Sequence, residues 1–440
     1  RLIMNYPNIP DCQGLIAELI EYGRLMHEYG VQNTDIDAVT DEAYNNLKDS
    51  VQKLKSLPIC KDLLKQEPND LDSILSLRPE GPRKLWNSFN EEIYLEKLEG
   101  ALLSRMAGCI LGVAVEAWSI EDMENWAKYN GDAFPPTNYW RGTKYPGYIR
   151  YTKDDYKNYT LGGLKYVPVD DDITYTLLGL IVAEEYGIDF STEDVGKAWV
   201  KYLPMACSAE DIALRSLKKG LDAKKVADID NPYCQWIGAD IRSDPWAYIA
   251  PAFPERAAHM AYNDAYLSHR RNGIYGEMFF SAVQSAAFAV DDPIEAIKIG
   301  LSEIPRECSL SKAVKWALDE RNNIKNYKDA RQAVDDKFKG MSGVHTINNA
   351  CLTIFGISIG GDDVTKVLSE TVAMGLDNDC TAATAGSIIG AIVGKKGIPS
   401  HWCKNFNNTI NSYLNGIDEF KIDDVVNRFY TLAKRTYSVK

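Results

Sequence analysis

Thr381-Ala382-Ala383-Thr384-Ala385-Gly386-Ser387-Ile388-Ile389-Gly390 decides the fold class. A helix with so small a surface lets the axis of a neighbouring helix approach closely, as in a compact bundle. The same texture recurs from Gly100-Ala101 to Gly112-Val113-Ala114 and in Ser281-Ala282-Val283-Gln284-Ser285-Ala286-Ala287. Sustained alternating strand patterns are hard to find, so the sequence predicts an all-α bundle whose helices are surrounded by other helices.

Outward from that core, Leu15, Leu19, Tyr22 and Met26 repeat at helical spacing, with Ile16 and Ile20 beside them. This pattern predicts a small N-terminal helical module. It runs into Glu67-Pro68-Asn69-Asp70 and Arg78-Pro79-Glu80-Gly81-Pro82, where prolines interrupt any helix. The sequence reading therefore assigns 1–90 to an N-terminal helical extension with a Pro-rich linker and 91–440 to one all-α domain. Between about 127 and 170 the chain is crowded with Tyr, Gly, Pro and Asn, as in Pro135-Pro136-Thr137-Asn138-Tyr139-Trp140 and Tyr145-Pro146-Gly147-Tyr148. A loop of that length in a compact domain reads as a lid or binding loop.

Composition narrows the function. The 440 residues are 45% hydrophobic and 25% charged, the balance of a folded globular protein. A net charge of −13 excludes nonspecific nucleic-acid binding and disfavours anionic membrane surfaces. Nine scattered cysteines with no CxxC pair argue against a disulfide framework or a zinc ribbon and favour a reducing, cytoplasmic setting. No apolar run reaches the length of about 18 residues that would suggest a membrane span.

Two acidic clusters carry the chemistry. Val169-Asp170-Asp171-Asp172-Ile173-Thr174-Tyr175-Thr176 opens one apolar run, and Gly375-Leu376-Asp377-Asn378-Asp379-Cys380-Thr381 opens the small-residue helix. Either alone reads as an acidic helix cap. Together they put carboxylates at the entrances of two strongly apolar helices, and burying both ends in one pocket is prohibitive without cations. Hard oxygen donors without a His/Cys set suit Mg²⁺ or Mn²⁺.

This pairing resembles the ADP-ribosylglycohydrolase family, which includes the dinitrogenase-reductase-activating glycohydrolases. Further likenesses are the helix Gly100 to Gly112 followed by Val115-Glu116, the segment Gly238-Ala239-Asp240-Ile241-Arg242, and Ala265-Tyr266-Leu267-Ser268-His269. The resemblance covers about residues 92 to 405. It implies an all-α, orthogonal helical bundle with two Mg²⁺ ions, or Mn²⁺ in their place, in a cleft. The implied ligands are Asp170, Asp171 and Asp172 from the first motif and Asp377, Asp379 and Cys380 from the second. Asp170 stands where the family has Thr, and Cys380 where it usually has a second Thr.

The implied reaction is glycoside hydrolysis at the anomeric carbon of an ADP-ribosyl or related ribosyl substrate, either a free small molecule or a group on a modified macromolecule. Glu116, Asp171 and Asp172 are the catalytic candidates, with Glu116 as general base. Arg242 is the phosphate candidate, and Trp140 and Trp246 are candidates for stacking. Core or ion-pair packing is the competing assignment for these three. Trp118 and Tyr148 are further stacking candidates, and His269 and His345 are assigned to scaffolding. The alternatives are a nucleoside-type ribosyl N-glycosidase and a non-catalytic, crystallin-like ADP-ribose-binding relative.

Overall fold

The structure is a computed structural model and describes residues 6–438. Those residues form nineteen α-helices, short 3₁₀ turns and two small antiparallel hairpins, Ile149–Arg150 with Asp154–Asp155 and Thr409–Leu414 with Ile417–Lys421. The all-α class holds, and the hairpins lie in connecting segments. No helix among the described residues is long and apolar enough to cross a membrane.

The chain divides into two compact units between Lys65 and Gln66. The smaller contains the helices Cys12–Glu28 and Asn33–Lys55, neither of which buries a side chain. The larger includes the Pro-rich stretch 66–90 that the sequence reading gave to the N-terminal module. Glu67 explains why that stretch belongs there. Its buried carboxylate accepts hydrogen bonds from the Ser309 backbone N–H (2.7 Å), the Ser309 hydroxyl (2.6 Å) and Asn272 Nδ2 (3.0 Å), and it pairs with the Arg271 guanidinium.

Two helices form the spine of the larger unit. Glu91–Val113 is capped by Asn90, whose side chain accepts from the Ile93 N–H, and it is buried along most of its length. Asn378–Val393 lies antiparallel against it, almost wholly buried. Glycine permits the closeness of the contact. A Cβ on Gly100 would meet the Gly390 carbonyl oxygen at 2.2 Å, one on Gly108 the Ala382 oxygen at 2.2 Å, and one on Gly112 the Asp379 Cα at 2.3 Å. Two of the three small-residue runs recognised in the sequence, Gly100 to Ala114 and Thr381 to Gly390, therefore form one interface, with backbone on backbone.

The antiparallel register has a functional consequence. It brings the C-terminal end of Glu91–Val113, and Glu116 just beyond it, to the N-terminus of Asn378–Val393, where Asp377 and Asp379 sit. A third helix, Asp171–Tyr186, is tied to the same spine by Arg105, whose Nε and Nη2 donate to the Asp172 carbonyl oxygen at 3.1 and 2.8 Å.

Because the Gly112 position touches the backbone of Asp379 itself, Gly112→Ala should force the two helices apart at the acidic end. The expected cost is about 1–3 kcal/mol of stability by chemical denaturation. Divalent-cation affinity should fall as well, read by calorimetry, whereas Gly147→Ala, where no atom lies within 4 Å of the added carbon, should change neither.

Candidate metal centre and active site

Each acidic motif is held by local backbone chemistry. Asp170 caps Asp171–Tyr186, its Oδ1 accepting from the Asp172 N–H at 3.0 Å. Asp377 begins Asn378–Val393 after Gly375 and Leu376, which both have left-handed φ values (73° and 57°) and turn the chain sharply into the helix. Asn378 Nδ2 donates to the Val115 and Val372 carbonyls at 3.3 and 3.0 Å, which fastens this turn to the end of the first core helix. Both helix N-termini present their positive dipole ends to the same carboxylates.

The motifs converge on a cavity of about 320 Å³. Glu116, Asp171, Asp377, Asp379 and Cys380 line it, with Asp170 and Asp172 fully buried behind them. Three groups of donors come close enough to share an ion: Asp172, Asp379 and Cys380; Glu116, Asp377 and Asp379; and Cys109, Asp170 and Asp172. Asp172 Oδ1 and Asp379 Oδ1 are buried without a hydrogen-bond partner. Orphaned carboxylate oxygens of this kind fit a hard divalent cation.

Burial, reinforced by neighbouring carboxylates, pushes the Asp172 and Asp379 carboxyls well above their ordinary range. Asp377 is raised to about 6, chiefly by burial with Glu116 adding to it. Asp170 is raised to about 7 by burial, even though Arg150 opposes the shift. Burial likewise raises the Cys380 thiol, which donates to Asp172 Oδ2 at 3.2 Å. Cys380 is thus a neutral thiol beside the carboxylates, a poor ligand for Mg²⁺.

Three sequence-derived assignments are corrected. Arg242 is no free phosphate contact: it is buried, with Nε 2.7 Å from Asp264 Oδ2, Nη1 3.2 Å from Glu210 Oε1, and both Nη atoms donating to the Ser268 hydroxyl at 3.0 Å. Its role is to hold Glu210, which does line the cavity. Trp140 is buried against the first core helix, its Nε1 donating to the Leu111 carbonyl at 3.1 Å. Trp246 is buried with Nε1 on Glu277 Oε1 at 2.8 Å. Neither ring reaches the cavity, because polar partners inside the protein satisfy each indole N–H. His269 is buried with Nδ1 2.7 Å from the Ser268 hydroxyl, and His345 caps Thr346–Gly360, positions that suit scaffolding.

Sequence reasoning missed Arg150, Tyr151, Tyr175, Cys207, Glu210 and Trp236 on the cavity wall. Arg150 and Tyr151 belong to the long Tyr- and Gly-rich loop, so the expected binding loop does reach the site. Arg150 is one of several Lys and Arg residues in that loop, so no local sequence signal singles it out.

Buried helices bring seven acidic or thiol groups to one cavity, and comparison gives the class of the chain. The chain belongs to the ADP-ribosylglycohydrolase family, whose model matches residues 90–438; this is a family of hydrolases acting on glycosidic bonds. A solved structure of an ADP-ribosylglycohydrolase-related protein complex is similar in fold, with TM-score 0.51 at 15% identity over 78% of this chain and 99% of that one. No curated protein gives a significant match to the sequence.

The raised carboxyls bind protons more tightly in the folded chain than in the unfolded one, where an Asp titrates near about 3.9. Their contribution therefore favours the fold at low pH and is lost as pH rises through about 6 for Asp377 and about 7 for Asp170. In EDTA, the melting temperature should fall between pH 5 and pH 8. Mg²⁺ should restore it at pH 8 and have little effect at pH 5, as calorimetry would show; a flat profile in EDTA would contradict the assignment.

Proposed function

We propose that this chain hydrolyses the glycosidic bond at the anomeric carbon of an ADP-ribosyl group, using a divalent cation, Mg²⁺ or Mn²⁺. The observation that carries this reading is the convergence of Glu116, Asp171, Asp377 and Asp379 on one cavity, with buried oxygens of Asp172 and Asp379 that have no hydrogen-bond partner. Asp172, Asp377 and Asp379 are the residues that would hold the cation, with Glu116, Asp170 and Asp171 completing the acidic wall. When bound, such an ion polarises water and ribose hydroxyls.

The side chains of the protein supply the rest. Cleavage at an anomeric carbon develops positive, oxocarbenium-like charge, which a wall of carboxylates stabilises. Glu116, partly exposed at the cavity mouth, takes the proton from the attacking water, and Asp171 faces the same space. Asp172 is fully buried and hydrogen-bonded to Cys380, so ligation suits it better than proton transfer. Tyr151, Tyr175 and Trp236 provide aromatic walls against which a sugar face or a planar leaving group packs. The nine cysteines are all free, which supports a reducing, cytoplasmic setting.

A smaller ribosyl compound, as in a nucleoside-type N-glycosidase, is favoured by one observation. Arg150 is the only Lys or Arg on the cavity wall, and carboxylates already engage it, so no free cation there awaits a pyrophosphate. Thermal shift with ADP-ribose, ribose and nucleosides separates the two readings, because the true ligand class raises the midpoint by mass action.

Asp379→Ala should lower turnover by at least a hundredfold and remove the Mg²⁺-dependent rise in melting temperature while leaving the helical circular dichroism intact. Wild-type rates in that variant, or in EDTA-treated protein, would overturn the metal-dependent reading. Cys380→Thr replaces a neutral thiol with a hard hydroxyl and should tighten Mg²⁺ binding severalfold by calorimetry.

A further inference from the structure

Arg150 lies where the acidic motifs meet. Its Nε is 2.8 Å from Asp170 Oδ2 and its Nη1 is 2.7 Å from Glu116 Oε2. Nη2 stands 3.6 Å from Asp379 Oδ2 and 3.9 Å from Asp171 Oδ1. One guanidinium therefore faces carboxylates from the first motif, the second motif and the end of the first core helix at once. That is the set of partners a bridging divalent cation would take.

The placement is built into the fold. Arg150 ends the strand Ile149–Arg150, paired with Asp154–Asp155, and the turn between them passes through Tyr151 and Thr152 with left-handed φ values of 49° and 61°. Asp154 is buried and anchors this hairpin, accepting from the Val169 N–H at 2.7 Å, the Tyr166 hydroxyl at 2.7 Å and Asn158 Nδ2 at 3.0 Å. The Tyr151 ring stacks on Tyr413 at 4.7 Å and carries the Arg150 guanidinium 5.1 Å from its centroid. A surface arginine swinging inward would need none of this support.

The partners of Arg150 also account for Asp170. A carboxylate there, in place of the Thr implied by the family resemblance, gives the guanidinium its closest first-motif contact, so the two residues form a matched pair. Beyond their reach, Asp172 Oδ1 and Asp379 Oδ1 keep no hydrogen-bond partner. Arg150 thus holds the Glu116 and Asp170 side, while on the other side Arg105 Nη2 comes only within 3.8 Å of Asp172 Oδ1 and the oxygens of Asp172, Asp377 and Asp379 remain to hold an ion.

We infer that Arg150 takes the place of one of the two divalent cations, so that the chain binds a single ion on the Asp172, Asp377 and Asp379 side. The inference rests on the metal-dependent reading of the centre. It also makes Arg150 and a second ion mutually exclusive, since both need the same oxygens of Glu116, Asp170 and Asp171.

Mn²⁺ binding to the full chain, counted by calorimetry and by the electron paramagnetic resonance signal of free Mn²⁺, tests it. Wild type should bind one ion. Arg150→Met combined with Asp170→Thr should bind two, the second at least tenfold tighter than any second site in wild type. Arg150→Lys keeps the positive charge, serves as the folding control by circular dichroism, and should stay at one. Two ions in wild type, or one ion in a folded double variant, would overturn the role of Arg150 and leave the metal-dependent reading standing. No ion bound to wild type or variants would overturn that reading, and this inference with it.

Discussion

Everything at the centre depends on how closely the helices Glu91–Val113 and Asn378–Val393 approach. Glycines on both let carbonyl oxygens and Cα atoms pack where side chains would ordinarily stand, and the antiparallel register places the end of one helix over the beginning of the other. The C-terminal turn carrying Glu116 and the N-terminal turn carrying Asp377 and Asp379 meet because of that contact. Asp171–Tyr186 joins them through Arg105, which also pairs with Asp244 at 3.1 Å and donates to the Ile241 carbonyl. The bundle is therefore a device for holding three helix ends together, and burial follows from the same geometry.

That burial creates an electrostatic problem which the protein solves only in part. Carboxylates removed from water favour their neutral forms unless a positive charge faces them. Arg105 and Arg150 supply two such charges, the first buried behind the centre and the second at its mouth, and the helix dipoles add to them. The oxygens left without partners mark where compensation stops. An enzyme that must stabilise positive charge on a sugar gains from this residual negative potential, because an oxocarbenium-like species meets in place the charge it needs.

The sequence showed those features that are local. Small-residue runs revealed the all-α core because the property that allows close packing belongs to each helix separately. The two acidic motifs were legible for the same reason, each lying within a few consecutive residues. Features made by distant partners were not. Arg242 reads as an available guanidinium until Glu210, Asp264 and Ser268 are seen around it. Trp140 reads equally as a stacking or a core residue until the Leu111 carbonyl is found beside its indole. Arg150 draws on Glu116, Asp170, Asp171 and Asp379, and nothing near it in sequence announces them. Glu67 shows the same limit at the edge of the domain, since prolines mark a break in helix but not which side of the break a buried carboxylate packs against.

The central claim is that carboxylates from both motifs close on a divalent cation. Anomalous diffraction from crystals grown with Mn²⁺ tests it most directly. The account predicts a peak at coordinating distance, about 2.0–2.2 Å, from oxygens of both Asp172 and Asp379. A catalytically active crystal with no anomalous peak in the cavity, or with one bound only by residues outside the two motifs, would contradict it.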